Sequence, residues 1–114
     1  MKEIKAYIRP IVIEPVIREL EHAGARDMTI IRVDAFSTMS DGATDRDHFF
    51  RKYSKKYSAV AKLELVCRRD DALKFTKIIK DLAHTGAHGD GRIFVSDVNQ
   101  AINVRSGVEG PEAL

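Results

Sequence analysis

At 114 residues, with 44% hydrophobic and 32% charged side chains, the chain is expected to form one domain around a single core. Its formal charge of +2 is close to balance and gives no reason to expect nucleic acid or a membrane surface as a partner. Cys67 is the only cysteine, which excludes an internal disulfide framework and a cysteine metal cluster, and no stretch approaches the ~18 apolar residues of a membrane span. The opening MKEIKAYIRP has no signal-peptide core, so a reduced, cytoplasmic protein is expected.

Taken in order, Ile4, Ala6 and Ile8 alternate with Lys5, Tyr7 and Arg9, the pattern of a half-buried strand, which Pro10 ends. EPVIRELEHAG predicts a helix with Pro15 at its first position, Gly24 at its C-terminal end, and Val16, Leu20 and Ala23 on one stripe. A second strand is expected from Met28 to Phe36. Over 37–57 the periodicity vanishes: Asp41, Asp45 and Asp47 come first, then the basic Arg51, Lys52, Lys55 and Lys56. Alternation resumes with Ala59, Ala61, Leu63, Leu65 and Cys67 on one face and Val60, Lys62, Glu64 and Val66 on the other. Asp70 or Asp71 is placed to cap a second helix, with Leu73, Phe75, Ile78, Ile79 and Leu82 as its buried side. A glycine-rich stretch and the strand RIFVS follow, and 97–114 reads as a short turn and a C-terminal extension.

The order β-α-β-β-α-β predicts an α+β, ferredoxin-like fold: one domain over 1–114, an antiparallel sheet, and both helices on one face. The other face is expected to expose Tyr7, Ile30, Val60 and Val66 or their alternates, and self-association is the economical way to cover it. The connection of about 20 residues between the second and third strands is far longer than the usual 2 to 5 of a hairpin, and such loops are normally functional or disordered.

Little here supports catalysis. The histidines are His22, His48, His84 and His88, and no serine or cysteine sits in a recognisable nucleophile elbow. His84 and His88 straddle a helix end broken by Gly86, which makes a poor zinc pair, and the loop carboxylates lack the spacing of a calcium loop, so no metal site is expected. The stretch TGAHGDGRIFV, residues 85–95, holds more promise. It lacks the Lys-Ser/Thr of a P-loop and the GxGxxG spacing, yet glycine runs can present successive N–H groups as an anion nest. Arg92 and Arg105 could add guanidinium forks suited to phosphate. Composition alone leaves a phosphate cradle and a plain helix-to-strand turn both open.

The same stretch resembles the C-terminal signature of the PII signal-transduction proteins, Thr-x-x-x-Gly-Asp-Gly-Lys/Arg-Ile-Phe-Val. The likeness covers nearly the whole chain. AYIRP is similar to the family's first strand and its Arg/Lys-Pro exit, DMTIIRVDAF to the second strand, and INVRSG to Ile-Arg-Ile-Arg-Thr-Gly. Residues 37–57 fall where the family carries its effector-facing T-loop. The resemblance implies a homotrimeric regulator, not an enzyme, that binds ATP, ADP or AMP between subunits and controls a target transporter, enzyme or transcription factor through that loop. Thr29 and the backbone of Ala35 and Phe36 would meet the adenine end, with Glu64 and Val66 nearby. Gly89, Asp90, Gly91 and Arg92 would hold the phosphates, and Arg105 would reach in from a neighbouring subunit. Whether magnesium accompanies the nucleotide is left open.

Departures from the family pattern sharpen the expectation. Asn103 stands where the family has an arginine, which removes one phosphate-directed charge. The loop base reads Phe36-Ser37-Thr38-Met39 instead of Phe-Gly-Arg-Gln, and Val60 replaces the lysine that pairs with 2-oxoglutarate. A retained Lys62 does not replace it. Typical 2-oxoglutarate sensing is therefore not expected, and bicarbonate, as in carboxysome-associated members, becomes an alternative effector to the family's nitrogen signal. Tyr53 aligns with the tyrosine that some relatives carry as a uridylylation site, although its flank, Lys52-Tyr53-Ser54-Lys55, differs. The rival function is an interaction module that keeps the fold but no longer senses nucleotide. A small nucleotide-processing enzyme comes third, without a base or nucleophile to name.

Overall fold

The computed structural model describes residues 1–36 and 57–114. Expectations that fall on 37–56, including Met39, Tyr53 and the basic run, lie outside the described residues. The chain runs through β1 (Lys2–Ile8), a 3-10 turn (Pro10–Val12), α1 (Ile13–His22), β2 (Thr29–Phe36), β3 (Tyr57–Cys67), a second 3-10 turn (Arg69–Asp71), α2 (Ala72–Ala83) and β4 (Gly91–Asp97). The sheet order is β2-β3-β1-β4, and every neighbouring pair is antiparallel. This is the expected ferredoxin-like arrangement. Phe36 pairs with Tyr57, so the connection between β2 and β3 covers 37–56 and ends one residue earlier than the lost periodicity suggested.

Alternation fixes which side of the sheet is buried. Ile4, Ala6 and Ile8 stand opposite Leu65, Leu63 and Ala61, and all six are buried. Val16 and Leu20 of α1 and Phe75 and Ile79 of α2 close over them. Directly paired residues share a face, so Ile30, opposite Leu63, lies on the helix side and not on the outer face where the sequence had placed it. The outer-face residue is its neighbour Ile31, opposite Lys62; a shift of one residue along a strand reverses the face.

The helix ends match the expectation at Gly24 and depart from it at Pro15 and at Asp70 and Asp71. Gly24 takes φ +97, its N–H donates to Glu21 O at 3.0 Å, and Ala25 N–H donates to Leu20 O at 2.8 Å. This is a Schellman stop, as the glycine predicted. The start of α1 differs: a 3-10 turn led by Pro10 precedes it, and Pro15 is the third residue of the helix. A proline is harmless there because first-turn N–H groups have no intrahelical acceptor. Neither Asp70 nor Asp71 caps α2 through its side chain, since a 3-10 turn feeds straight into the helix and Asp71 already has helical torsions of −88° and −17°.

The buried side of α2 is Ala72, Phe75, Ile79 and Ala83. Ile78 is only partly buried, Leu82 is 37% exposed and Leu73 is 82% exposed. At ~100° per residue, Leu73 lies about 200° around the helix from Phe75 and faces away from the sheet. Ala72 and Ala83 belong to that buried side, whereas Leu73 and Leu82, expected there from the sequence, are exposed. After β4, Ile102 bridges to Glu109, and a final 3-10 turn spans Gly110–Ala113.

Candidate functional site

The glycine stretch is organised around Asp90. Its Oδ2 accepts N–H bonds from Thr85 at 2.7 Å and Gly86 at 2.9 Å, while Oδ1 accepts the Thr85 hydroxyl. Arg9 Nη1 lies 3.0 Å from the same Oδ1, and His84 Nδ1 is 3.8 Å from Oδ2. Thr85 Oγ1 in turn accepts from Ala87 N–H at 3.2 Å. The Thr85 hydroxyl and N–H, then Gly86 N–H and the Arg9 charge, hold the Asp90 carboxyl down at about 2 against the opposing effect of burial.

Asp90 therefore closes the loop on itself, and its acceptor capacity is spent within the fold. Because its folded value is depressed, its contribution to stability is present above the ordinary carboxylate range and is lost as pH falls from about 4 towards 2. Amide exchange of Thr85 and Gly86 should accelerate over that interval relative to the sheet. Asp90→Asn should show fast exchange at all pH values; acid-independent exchange in the native chain would contradict this role.

Gly91 begins β4 directly opposite Ile8, and Arg92 stands opposite Tyr7. Arg92 shares its face with the Tyr7 ring, which meets Phe94 edge-on at 6.0 Å. Arg92 is exposed and makes no hydrogen bond or ion pair with another described residue.

The remaining expected residues lie elsewhere. Thr29 opens β2 opposite Glu64, and Ala35 and Phe36 lie at its other end. Thr29, Glu64 and Val66 line one open cleft of about 620 Å³ together with Arg26, Asp27 and Ile102. Lys62 bonds Glu64 at 2.6 Å and sits 5.7 Å from the Tyr7 ring centroid, which lowers the Glu64 carboxyl below its ordinary range and raises Lys62. Asn103 is occupied by its own turn: its Oδ1 accepts Ser106 N–H at 3.1 Å and its carbonyl accepts Gly107 N–H at 2.8 Å. Arg105 sits in that same turn, exposed.

The expected residues thus fall into two groups. Thr29 is on the edge strand β2 and Arg92 on the opposite edge strand β4, with β3 and β1 between them. Three inter-strand spacings put the two edges about 14 Å apart. One chain offers the glycine loop at one edge and the cleft lined by Thr29, Glu64 and Val66 towards the other. Sequence reasoning missed Arg9. It had registered as the strand exit before Pro10 and was given no role, because its partners Thr85, His88 and Asp90 are more than seventy residues away.

Comparison with known proteins agrees with the fold and with the family resemblance. The family model described as nitrogen regulatory protein P-II matches residues 1–108. The chain is 37% identical over 106 residues to the nitrogen regulatory protein P-II of Porphyra purpurea, covering 93% of each. It is 35% identical over 114 residues to P-II 2 of Methanothermobacter thermautotrophicus, covering 100% of this chain and 97% of that one. Among solved structures, B. subtilis GlnK in its ATP complex is similar with a TM-score of 0.79 and 27% identity, over 99% of this chain and 96% of that one.

Proposed function

The chain belongs to the nitrogen regulatory protein P-II family, whose members are regulators and not enzymes, and we propose that it binds an adenine nucleotide between subunits of a trimer and signals to a target through residues 37–56. The observation that carries the reading is the glycine loop: Asp90 holds it closed from within, and Arg92 stands beside it without another described partner. A similar chain has been solved with ATP. Thr29, Glu64 and Val66 line a cleft whose walls mix polar groups such as Arg26 and Asp27 with apolar ones such as Leu65 and Ile102, a lining suited to a base and ribose. Gly89, Gly91 and Arg92 face the phosphates; Asp90 acts by shaping the loop. In this reading the nitrogen or carbon effector, bicarbonate included, acts through the same cytoplasmic trimer, and Tyr53 is a contact or modification point on the signalling segment.

The trimer follows from the split site. A nucleotide that meets both the β4 loop and Thr29 is most simply bound where the β4 edge of one subunit approaches the β2 edge of the next. Sedimentation at micromolar concentration should give three chains per particle, and a stable monomer would refute the assembly.

Nucleotide choice follows from Asn103. With its side chain committed to the turn and no charge to offer, ADP and AMP should bind at least as tightly as ATP. One charged hydrogen bond is worth ~1.5–3 kcal/mol, or roughly ten- to a hundredfold in affinity. Calorimetry with the three nucleotides is the test, and Arg92→Ala should remove most of the binding. ATP binding far tighter than ADP would overturn the argument from Asn103, and no binding by any nucleotide would leave the interaction module as the better reading.

A further inference from the structure

We infer that Arg9 is the positioning residue of the phosphate loop, setting its location relative to the sheet without touching the nucleotide; this rests on the nucleotide reading above. Arg9 leaves the end of β1 and makes three contacts with the loop. Nη2 donates to the His88 carbonyl at 2.7 Å, and Nη1 donates to Asp90 Oδ1 at 3.0 Å and to Thr85 Oγ1 at 3.2 Å. These partners bracket the loop at its start, middle and end. The internal bonds of Asp90 give the loop its shape but do not fix where it sits.

Two features make the placement specific. A Cβ on Gly89 would lie 3.2 Å from Arg9 Nη2, so the glycine leaves room for the guanidinium to lie against the loop backbone. The contacts come from two nitrogens of one planar group, which locks orientation as well as distance. A lysine has a single nitrogen and cannot reproduce that fork. The guanidinium itself is spent on the loop.

The experiment compares the native chain with Arg9→Ala and Arg9→Lys, using ADP and AMP as probes. Arg9→Ala should lose on the order of tenfold in ADP affinity, as expected when a preorganised loop must be ordered on binding. AMP should lose less, because its single phosphate engages less of the loop, and Arg9→Lys should fall between the native chain and Arg9→Ala. Amide exchange without ligand gives the second measurement: residues 85–91 should exchange faster in Arg9→Ala while β1 and β3 do not. Unchanged loop exchange overturns the inference, and so does an equal loss for ADP and AMP, which would mark a general folding defect. If the native chain binds neither nucleotide, the functional reading fails, and the exchange result still decides whether Arg9 places the loop.

Discussion

Gly91→Ala is expected to destabilise the protein by about 3 kcal/mol or more and to lower its melting temperature by about 10 °C or more. Two effects add at this residue. Its φ of +111 lies in the region that L side chains rarely adopt, and a Cβ there would stand 1.8 Å from the Tyr7 carbonyl oxygen and 2.9 Å from the Tyr7 carbonyl carbon. Those atoms are backbone in the central strand β1 and cannot swing aside. Relief requires β4 to move away from β1, which breaks the Ile8–Gly91 and Tyr7–Arg92 pairs and carries Arg92 away from the loop. Gly86→Ala is the matched control: its φ is +87, but nothing lies within 4 Å of the added carbon. It should cost only the backbone strain, ~1–2 kcal/mol. Thermal unfolding of both variants decides the matter. Equal losses would mean that the close approach to Tyr7 is not what requires glycine at position 91.

That contrast also shows what the sequence could and could not reveal. Among the described residues, the spacing of apolar residues was enough to place the four strands and the two helices, because burial on one face imposes period two on the strands and a 3.6-residue period on the helices. It failed where two neighbours are equally apolar. Ile30 and Ile31 cannot be told apart by hydropathy, and only the register against Leu63 and Lys62 assigns their faces. Leu73 was misplaced for a similar reason: it and Ala72 are both apolar neighbours at the helix start, and only the fold shows that Ala72 is buried and Leu73 exposed. At the candidate site the glycines, Asp90 and Arg92 were legible as a motif, but the inward orientation of Asp90 was not. The carboxylate looks like a ligand in one dimension and proves to be the group that closes the loop. Arg9 was legible only as a strand terminus, because a contact across the whole chain leaves no local signature.

2-Oxoglutarate is expected not to bind with the micromolar affinity that a dedicated sensor needs, even with magnesium and ATP saturating. A dicarboxylate buried at the loop base needs a cation for its far carboxylate, and position 60 offers the isopropyl group of Val60, paired with Val33 in the sheet. The nearest lysine along the strand, Lys62, is committed elsewhere: its ammonium lies 2.6 Å from Glu64 and over the Tyr7 ring. Freeing Lys62 would leave Glu64 without its partner, and the pairing already raises the Lys62 ammonium above its ordinary value. Met39 adds only a thioether, a poor ligand for a hard cation such as magnesium. An unpaired carboxylate beside valine carries an uncompensated desolvation cost of several kcal/mol, enough to erase micromolar binding. Titrating 2-oxoglutarate by calorimetry into the protein with magnesium and ATP tests this directly. The double substitution Met39→Gln, Val60→Lys should restore a response, and micromolar binding by the native chain would show that another cation, outside these positions, takes the far carboxylate.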